Sequence, residues 1–208
     1  MKLRFSGWLG AFLVAATVLV ALLSLVWTPY DPTLAHPDVR LAGPSAEHLL
    51  GTDRFGRDTA SRIMAGAQIT VFVGLVAVGI AALVGVPLGI LAGMRRGTWV
   101  DALVMRGADL LLAFPALLLA IIAGAVWGPS TLTAMVAIGI AGIPSFARVA
   151  RSGTLQVITQ DFISSARISA VPGWKVALRH ILPNLTGLLI VQASVYFALA
   201  ILAEAGLS

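Results

Sequence analysis

Five long apolar runs constrain what this chain can become: Trp8–Trp27, Ile69–Met94, Leu110–Trp127, Thr131–Ala147 and Leu185–Ala203. A bilayer core about 30 Å thick is crossed by about 20 apolar residues in α-helix, and an unpaired backbone group inside it costs several kcal/mol. The period-two alternation of a membrane β-strand is missing, so the runs read as helices. Polar surface is correspondingly scarce. Of the 208 residues 59 % are hydrophobic and 11 % charged, and mean hydropathy is +0.96, too apolar to solvate a soluble globule. The sequence predicts an all-α polytopic membrane helix bundle.

Charge indicates which way the bundle faces. The net charge is +5, and one orientation places ten of the fourteen Lys and Arg inside: Lys2, Arg4, Arg95, Arg96, Arg106, Arg148, Arg151, Arg167, Lys175 and Arg179. Four fall outside (Arg40, Arg54, Arg57, Arg62), accompanied by Asp31, Asp38, Glu47, Asp53 and Asp58. Lys and Arg accumulate on cytoplasmic loops. The amino terminus and residues 148–184 are therefore expected in the cytoplasm, and 28–68 outside. The first run is longer than a signal peptide's apolar region, lacks a small-x-small exit and is bracketed by Trp8 and Trp27, so it reads as an uncleaved anchor. Residues 1–68 form this anchor plus an outer loop, and 69–208 the remaining bundle. The chain has no cysteine, so no disulfide or thiol chemistry is open to it.

Small and kinking residues mark helix contacts. Gly85, Gly89 and Gly93 recur every fourth residue, which strips one helix stripe of side chains and admits a neighbouring helix. Pro87 lies among them, Pro115 falls in the third run and Pro144 near the end of the fourth; each removes a helix donor. The plain reading is helix packing, with gating as the sharper one. Arg106 and Asp109, three apart on one helix face, can pair with each other. Glu204 reads as a boundary residue at the outer end of the last run. In the outer loop Asp58 stands where it can cap a helix carrying Ala60, Ile63, Met64 and Ala67 on one stripe.

Catalytic patterns are missing. No Gly-x-x-x-x-Gly-Lys-Ser/Thr phosphate loop, Gly-x-Ser-x-Gly elbow or His-Glu-x-x-His helix occurs, and His36, His48 and His180 are scattered. No catalytic, cofactor or metal residue is assigned, nucleic acid is not an expected partner, and substrate-binding residues stay unassigned.

The polar insert between the last two runs, Asp161–Asn184, is the exception to the apolar chain. Phe162, Ile163, Ala166, Ala170 and Val171 form one apolar stripe; Trp174, Val176, Ala177, Leu178, Ile181 and Leu182 form a second set. Pro172-Gly173 separates them, since proline disfavours helix before it and glycine permits a sharp turn. Two short helices presenting a basic-rimmed apolar knob are predicted. An amphipathic helix resting on anionic lipid is the blander alternative.

The insert resembles the EAA loop of ABC-importer permeases, whose pattern is Glu-Ala-Ala, three residues, Gly, nine residues, then Ile-x-Leu-Pro. Ser164-Ser165-Ala166 stand at the Glu-Ala-Ala places, Ala170 at the Gly, His180 at the Ile, and Leu182-Pro183 at the Leu-Pro. With the Gly position lost, Gly173 is expected to take over the turn. Arg179-His-Ile-Leu-Pro-Asn184 is similar to the peptide and nickel branch. Leu50-Gly-Thr-Asp-Arg-Phe-Gly-Arg-Asp58, Gly85-Val-Pro-Leu-Gly-Ile-Leu-Ala-Gly93, Asp109-Leu-Leu-Leu-Ala-Phe-Pro115 and Leu202-Ala-Glu-Ala-Gly-Leu-Ser208 resemble the shorter of the two paired dipeptide, oligopeptide and nickel permeases.

The resemblance implies a type I ABC importer permease domain over 69–208, with five spans present and a sixth missing beyond Ser208. It further implies a bacterial inner-membrane subunit with these partners: a second homologous permease, one or two cytoplasmic ATP-binding subunits holding ATP and Mg, an extracytoplasmic substrate-binding protein, and membrane lipid. The chain itself needs no cofactor. ATPase contact is implied for Ser164, Ser165, Ala166, Arg167, Ala170, Pro172, Gly173, Trp174, Lys175, Arg179 and Pro183, with Trp174 as aromatic anchor and Arg167, Lys175 and Arg179 as rim. Peptides are the expected substrate, with nickel or a nickel chelate as alternative. A secondary transporter or a channel subunit is the competing class.

Overall fold

The computed structural model describes residues 5–207; Lys2, Arg4 and Ser208, and the side chains of Phe5, Ser6 and Arg167, lie outside the described residues. The described chain is helical apart from loops and one isolated bridge between Thr52 and Asp58. In order it forms α1 (Phe5–Ser24), a 3-10 turn (Pro37–Val39), α2 (Thr59–Met94), α3 (Trp99–Leu112), α4 (Ala116–Trp127) and α5 (Thr131–Val157). Then come α6 (Asp161–Ile168), α7 (Gly173–Val176), a π turn (Ala177–Ile181) and α8 (Leu182–Ala205). Among the described residues four helices are long and apolar enough to cross a membrane, or up to five if α3 and α4 together count as one broken span. The chain divides into two compact units, up to Phe72 and from Val73 onward.

The first unit holds α1, the polar loop and the start of α2. Two aspartates organise the loop. Asp53 accepts hydrogen bonds from the backbone N–H of Phe55 (2.8 Å) and Arg57 (3.0 Å), from Arg57 Nε (2.9 Å) and from Arg62 Nη1 (2.6 Å). Desolvation pushes its carboxyl up, but the N–H donors of Arg57 and Phe55 and the Arg57 guanidinium outweigh it and hold the group at about 2. Asp58 caps α2: Ser61 N donates to Oδ2 at 2.8 Å and Ser61 Oγ at 2.7 Å, while Oδ1 lies 3.0 Å from His48 Nδ1. Here too desolvation is the largest influence, and the Ser61 and His48 bonds together overcome it and lower the carboxyl. Gly51 and Gly56 turn the chain in the left-handed region, at φ +70° and +79°. A Cβ on Gly56 would run into the His36 carbonyl, so only glycine fits that turn.

The second unit is built around α5. Phe146, Ala147 and Ala150 on this helix are fully buried. The glycine stripe of α2 faces it: a Cβ on Gly85 would lie 2.6 Å from the Ile143 carbonyl oxygen, one on Gly89 2.8 Å from Ala150 Cβ, and one on Gly93 2.7 Å from Thr154 Cβ. Bare backbone thus lets α2 and α5 approach closely. From the other side the Tyr196 ring of α8 sits over Gly142, edge-on to Phe146 with centroids 5.9 Å apart, and its hydroxyl donates to the Ile138 carbonyl at 2.5 Å. Pro144 is buried within α5, which runs on past Ala147 to Val157.

Two expectations are corrected. The run Leu110–Trp127 is not one straight helix: α3 starts at Trp99, α4 restarts at Ala116, and the two are bent by 81°. Pro115 has no N–H to continue α3 and pushes Phe114 out of the helical region. Asp109 pairs not with Arg106 but with Arg148 of α5, at 2.5 Å. A second pair joins the same helices, Arg151 Nε to Asp101 Oδ1 at 2.6 Å.

Candidate functional site

α6 begins with exposed Asp161, a carboxylate in the first turn where the helix dipole favours it. Ile163 and Ala166 on one face are buried; Phe162, Ser164, Ser165 and Ile168 on the other are exposed. Ile168 is 87 % exposed at the helix end, an apolar side chain left facing outward. Sequence inspection passes over it because a lone isoleucine in an amphipathic stretch carries no pattern. The Arg167 backbone continues α6, and its side chain is outside the described residues.

The turn after α6 lies at Ala170, not at Gly173. Ala170 has φ +54°, and Val171 N donates to the Ala166 carbonyl at 3.1 Å. This six-to-one bond is a Schellman cap with alanine at the position that favours glycine, at a cost of about 1–2 kcal/mol. Ala170, which stands at the Gly of the pattern the insert resembles, thus makes the turn in this chain. Gly173 instead opens α7, following Pro172 at φ −62° and ψ 142°.

The second predicted short helix is also corrected. α7, the π turn and α8 form one continuous helix, Gly173–Ala205. Pro183 is accommodated where the register widens: Leu182 N reaches back five residues to the Ala177 carbonyl. Asn184 Nδ2 donates to the His180 carbonyl at 2.7 Å. The Arg-His-Ile-Leu-Pro-Asn run thus reads physically as a π turn stitched by its own asparagine. Because of it the second limb of the loop runs into the membrane helix without a break.

The inward faces of both loop limbs share one core. Ile163, Ala166, Val176 and Ile181 pack with Val86 and Ile90 of α2 and with Phe146 and Ala150 of α5. Phe162 and His180 close the gap between the limbs, with ring centroids 6.3 Å apart. Trp174 is 64 % exposed, with Lys175 Nζ 5.4 Å from its ring centroid. Arg179, Pro172 and Pro183 are exposed around them. Asp101–Arg151 and Asp109–Arg148 fasten α3 to the end of α5 that leads into the loop; neither pair is suggested by the sequence, since their members stand 50 and 39 residues apart. The arrangement offers an outward surface of mixed apolar and basic groups on a base keyed into the bundle.

Residues 85–208 match the family described as binding-protein-dependent transport system inner membrane component. The chain belongs to that family. It is 40 % identical over 198 residues to the dipeptide transport system permease protein of Alkalihalophilus pseudofirmus, covering 95 % of this chain and 65 % of the relative. It is 39 % identical over 202 residues to a glutathione transport system permease protein of Pectobacterium atrosepticum, covering 94 % and 67 %. To a di/tripeptide transport system permease protein of Pseudomonas aeruginosa it is 35 % identical over 208 residues, covering 97 % and 68 %. The chain spans about two thirds of the length of these relatives. Membership makes it an inner-membrane, multi-pass transport component, in keeping with its apolar helices.

Proposed function

We propose that the chain is a permease subunit of an ATP-driven importer of peptides, and that 161–184 is the surface on which an ATP-hydrolysing subunit acts. The observation that carries the coupling role is the double-faced loop. Its outer side exposes Ile168 and Trp174, and its inner side is buried among α2, α5 and α8. Close-packed interiors transmit displacement rather than absorb it. A partner that moves α6 therefore moves Ile163 and Ala166 against α2 and α5, and one that moves Trp174 moves the helix that continues as α8. ATP and Mg belong to that partner, and this chain supplies no group to their chemistry.

The printed names of the relatives, dipeptide, di/tripeptide and glutathione, support small peptides as cargo; nickel draws no support from them. A second permease would complete the translocation path, an extracytoplasmic binding protein would deliver the cargo, and the basic bias supports a cytoplasmic amino terminus and loop. The site assignments carry over as the ATPase contact surface: Ser164, Ser165, Ala166, Arg167, Ala170, Pro172, Gly173, Trp174, Lys175, Arg179 and Pro183.

Single cysteines at exposed Ser45 and Ser165 in this cysteine-free chain test the reading. They are expected to label from opposite sides of the membrane, with Ser165→Cys shielded when the ATPase subunits are bound. Labelling from the same side, or a Ser165→Cys indifferent to the ATPase, contradicts the coupling surface.

A further inference from the structure

An apolar groove of about 630 Å³ opens beside the loop, between α2 and the Gly173–Ala205 helix. Val86, Leu91 and Met94 line one wall, and Ala177, Leu178 and Leu182 the other. Arg95 and Trp174 stand at one end, where both helices emerge into polar loops. Arg95 is exposed, and among the described residues no carboxylate forms an ion pair with it.

We infer that this groove binds one anionic phospholipid of the cytoplasmic leaflet, its acyl chain along the walls and its phosphate held by Arg95. The inference rests on the orientation proposed above.

Length is the first reason. From Val86 to Arg95 the wall runs nine residues, about 14 Å at 1.5 Å per residue, close to half of a bilayer core of about 30 Å. The groove is therefore as deep as one leaflet. Polarity is the second. Its lining is Val, Pro, Ile, Leu, Met, Ala, Gly and Trp, with Arg95 as the one charged member. A peptide laid there would leave its backbone amides unpaired, whereas an acyl chain has none to satisfy. The third reason is charge. Arg95, exposed at the mouth and without an ion-pair partner among the described residues, suits a phosphate, and a tryptophan at the same end suits the depth of the headgroups. A neutral lipid would satisfy the walls and leave the mouth without its counter-charge.

Native mass spectrometry of the full chain, released from bilayers of equal parts phosphatidylglycerol and phosphatidylcholine, tests this. One retained phosphatidylglycerol in clear preference to phosphatidylcholine is expected. Arg95→Gln is expected to weaken that preference about fivefold, the worth of one cation at a membrane surface. Leu178→Trp, filling the groove from an exposed wall position, is expected to abolish retention of both lipids, and Leu91→Trp repeats the test from the opposite wall should the first variant lose wild-type helicity. Equal retention of the two lipids by the wild-type chain, or retention unchanged in the folded variants, overturns the lipid site and leaves the importer reading standing. Labelling of Ser165→Cys from outside overturns the leaflet assignment together with that reading.

Discussion

Arg151 grips Asp101 at two points, Nε to Oδ1 at 2.6 Å and Nη2 to Oδ2 at 2.8 Å, and so fastens the start of α3 to the end of α5 just before the loop. Asp101 is nearly buried, at 9 % side-chain exposure, and Gly97 N also donates to it at 3.1 Å. Removing one partner strands the other. Arg151→Ala is expected to destabilise the unit by on the order of 3 kcal/mol, because an uncompensated charge is left in a poorly solvated place. Arg151→Met combined with Asp101→Leu is expected to recover most of that. Unfolding midpoints in mixed micelles check both, and a single variant as stable as wild type would show that the pair contributes nothing.

The α2–α5 contact predicts a sharp difference between glycines of one helix. Gly89→Ala places a methyl group against Ala147 and Ala150, and the neighbours there include rigid backbone. A loss of about 1–3 kcal/mol is expected from overpacking. At Gly79 nothing lies within 4 Å, so Gly79→Ala is expected to be neutral or to stabilise through helix propensity. Matching losses at the two positions would mean that helix bending, not close approach, sets the cost.

Acid is expected to loosen the polar loop of the first unit. Asp53 is held at about 2 against an ordinary 3.8, and Asp58 is lowered as well. Carboxyls depressed in the folded state contribute stability above the unfolded value, and it is lost as pH falls through the folded one. Hydrogen-exchange protection across 28–58, taken relative to the unstructured rate at each pH, is therefore expected to be constant from pH 7 to about 4 and to fall between about 4 and 2. Asp53→Asn is expected to loosen the loop already at neutral pH and to flatten the acid response. Loosening of the wild-type loop between pH 7 and 5 would point to a different group.

The apolar runs and the amphipathic insert were legible in sequence, because each depends on local periodicity. What escaped depends on distance or on conflict. Asp101–Arg151 and Asp109–Arg148 join charges from separate helices, so the sequence suggested the nearer Arg106 as partner for Asp109. The bend before α4 is set by one residue, Pro115, within a run that hydropathy treats as uniform. The sequence separates a second short helix from a last run that begins at Leu185, yet the π turn and Asn184 carry one helix through Pro183. The turn expected at Gly173 lies at Ala170, where the cap bond from Val171 and burial of the limbs on either side hold alanine at positive φ. Exposed Ile168 could be recognised only once its neighbours were seen to face inward.

Substrate-stimulated ATP hydrolysis by the reconstituted complex bears most directly on the loop as the coupling surface. Trp174→Ala and Ile168→Ala remove the two most prominent outward apolar groups of the loop without touching its inward face. Loss of a central anchor costs about 2 kcal/mol or more, roughly thirtyfold in affinity. Both variants are expected to insert and fold normally while stimulated hydrolysis and peptide uptake collapse together, with Thr70→Ala as the unaffected control. Wild-type hydrolysis and uptake in both variants would contradict a role for this loop in coupling.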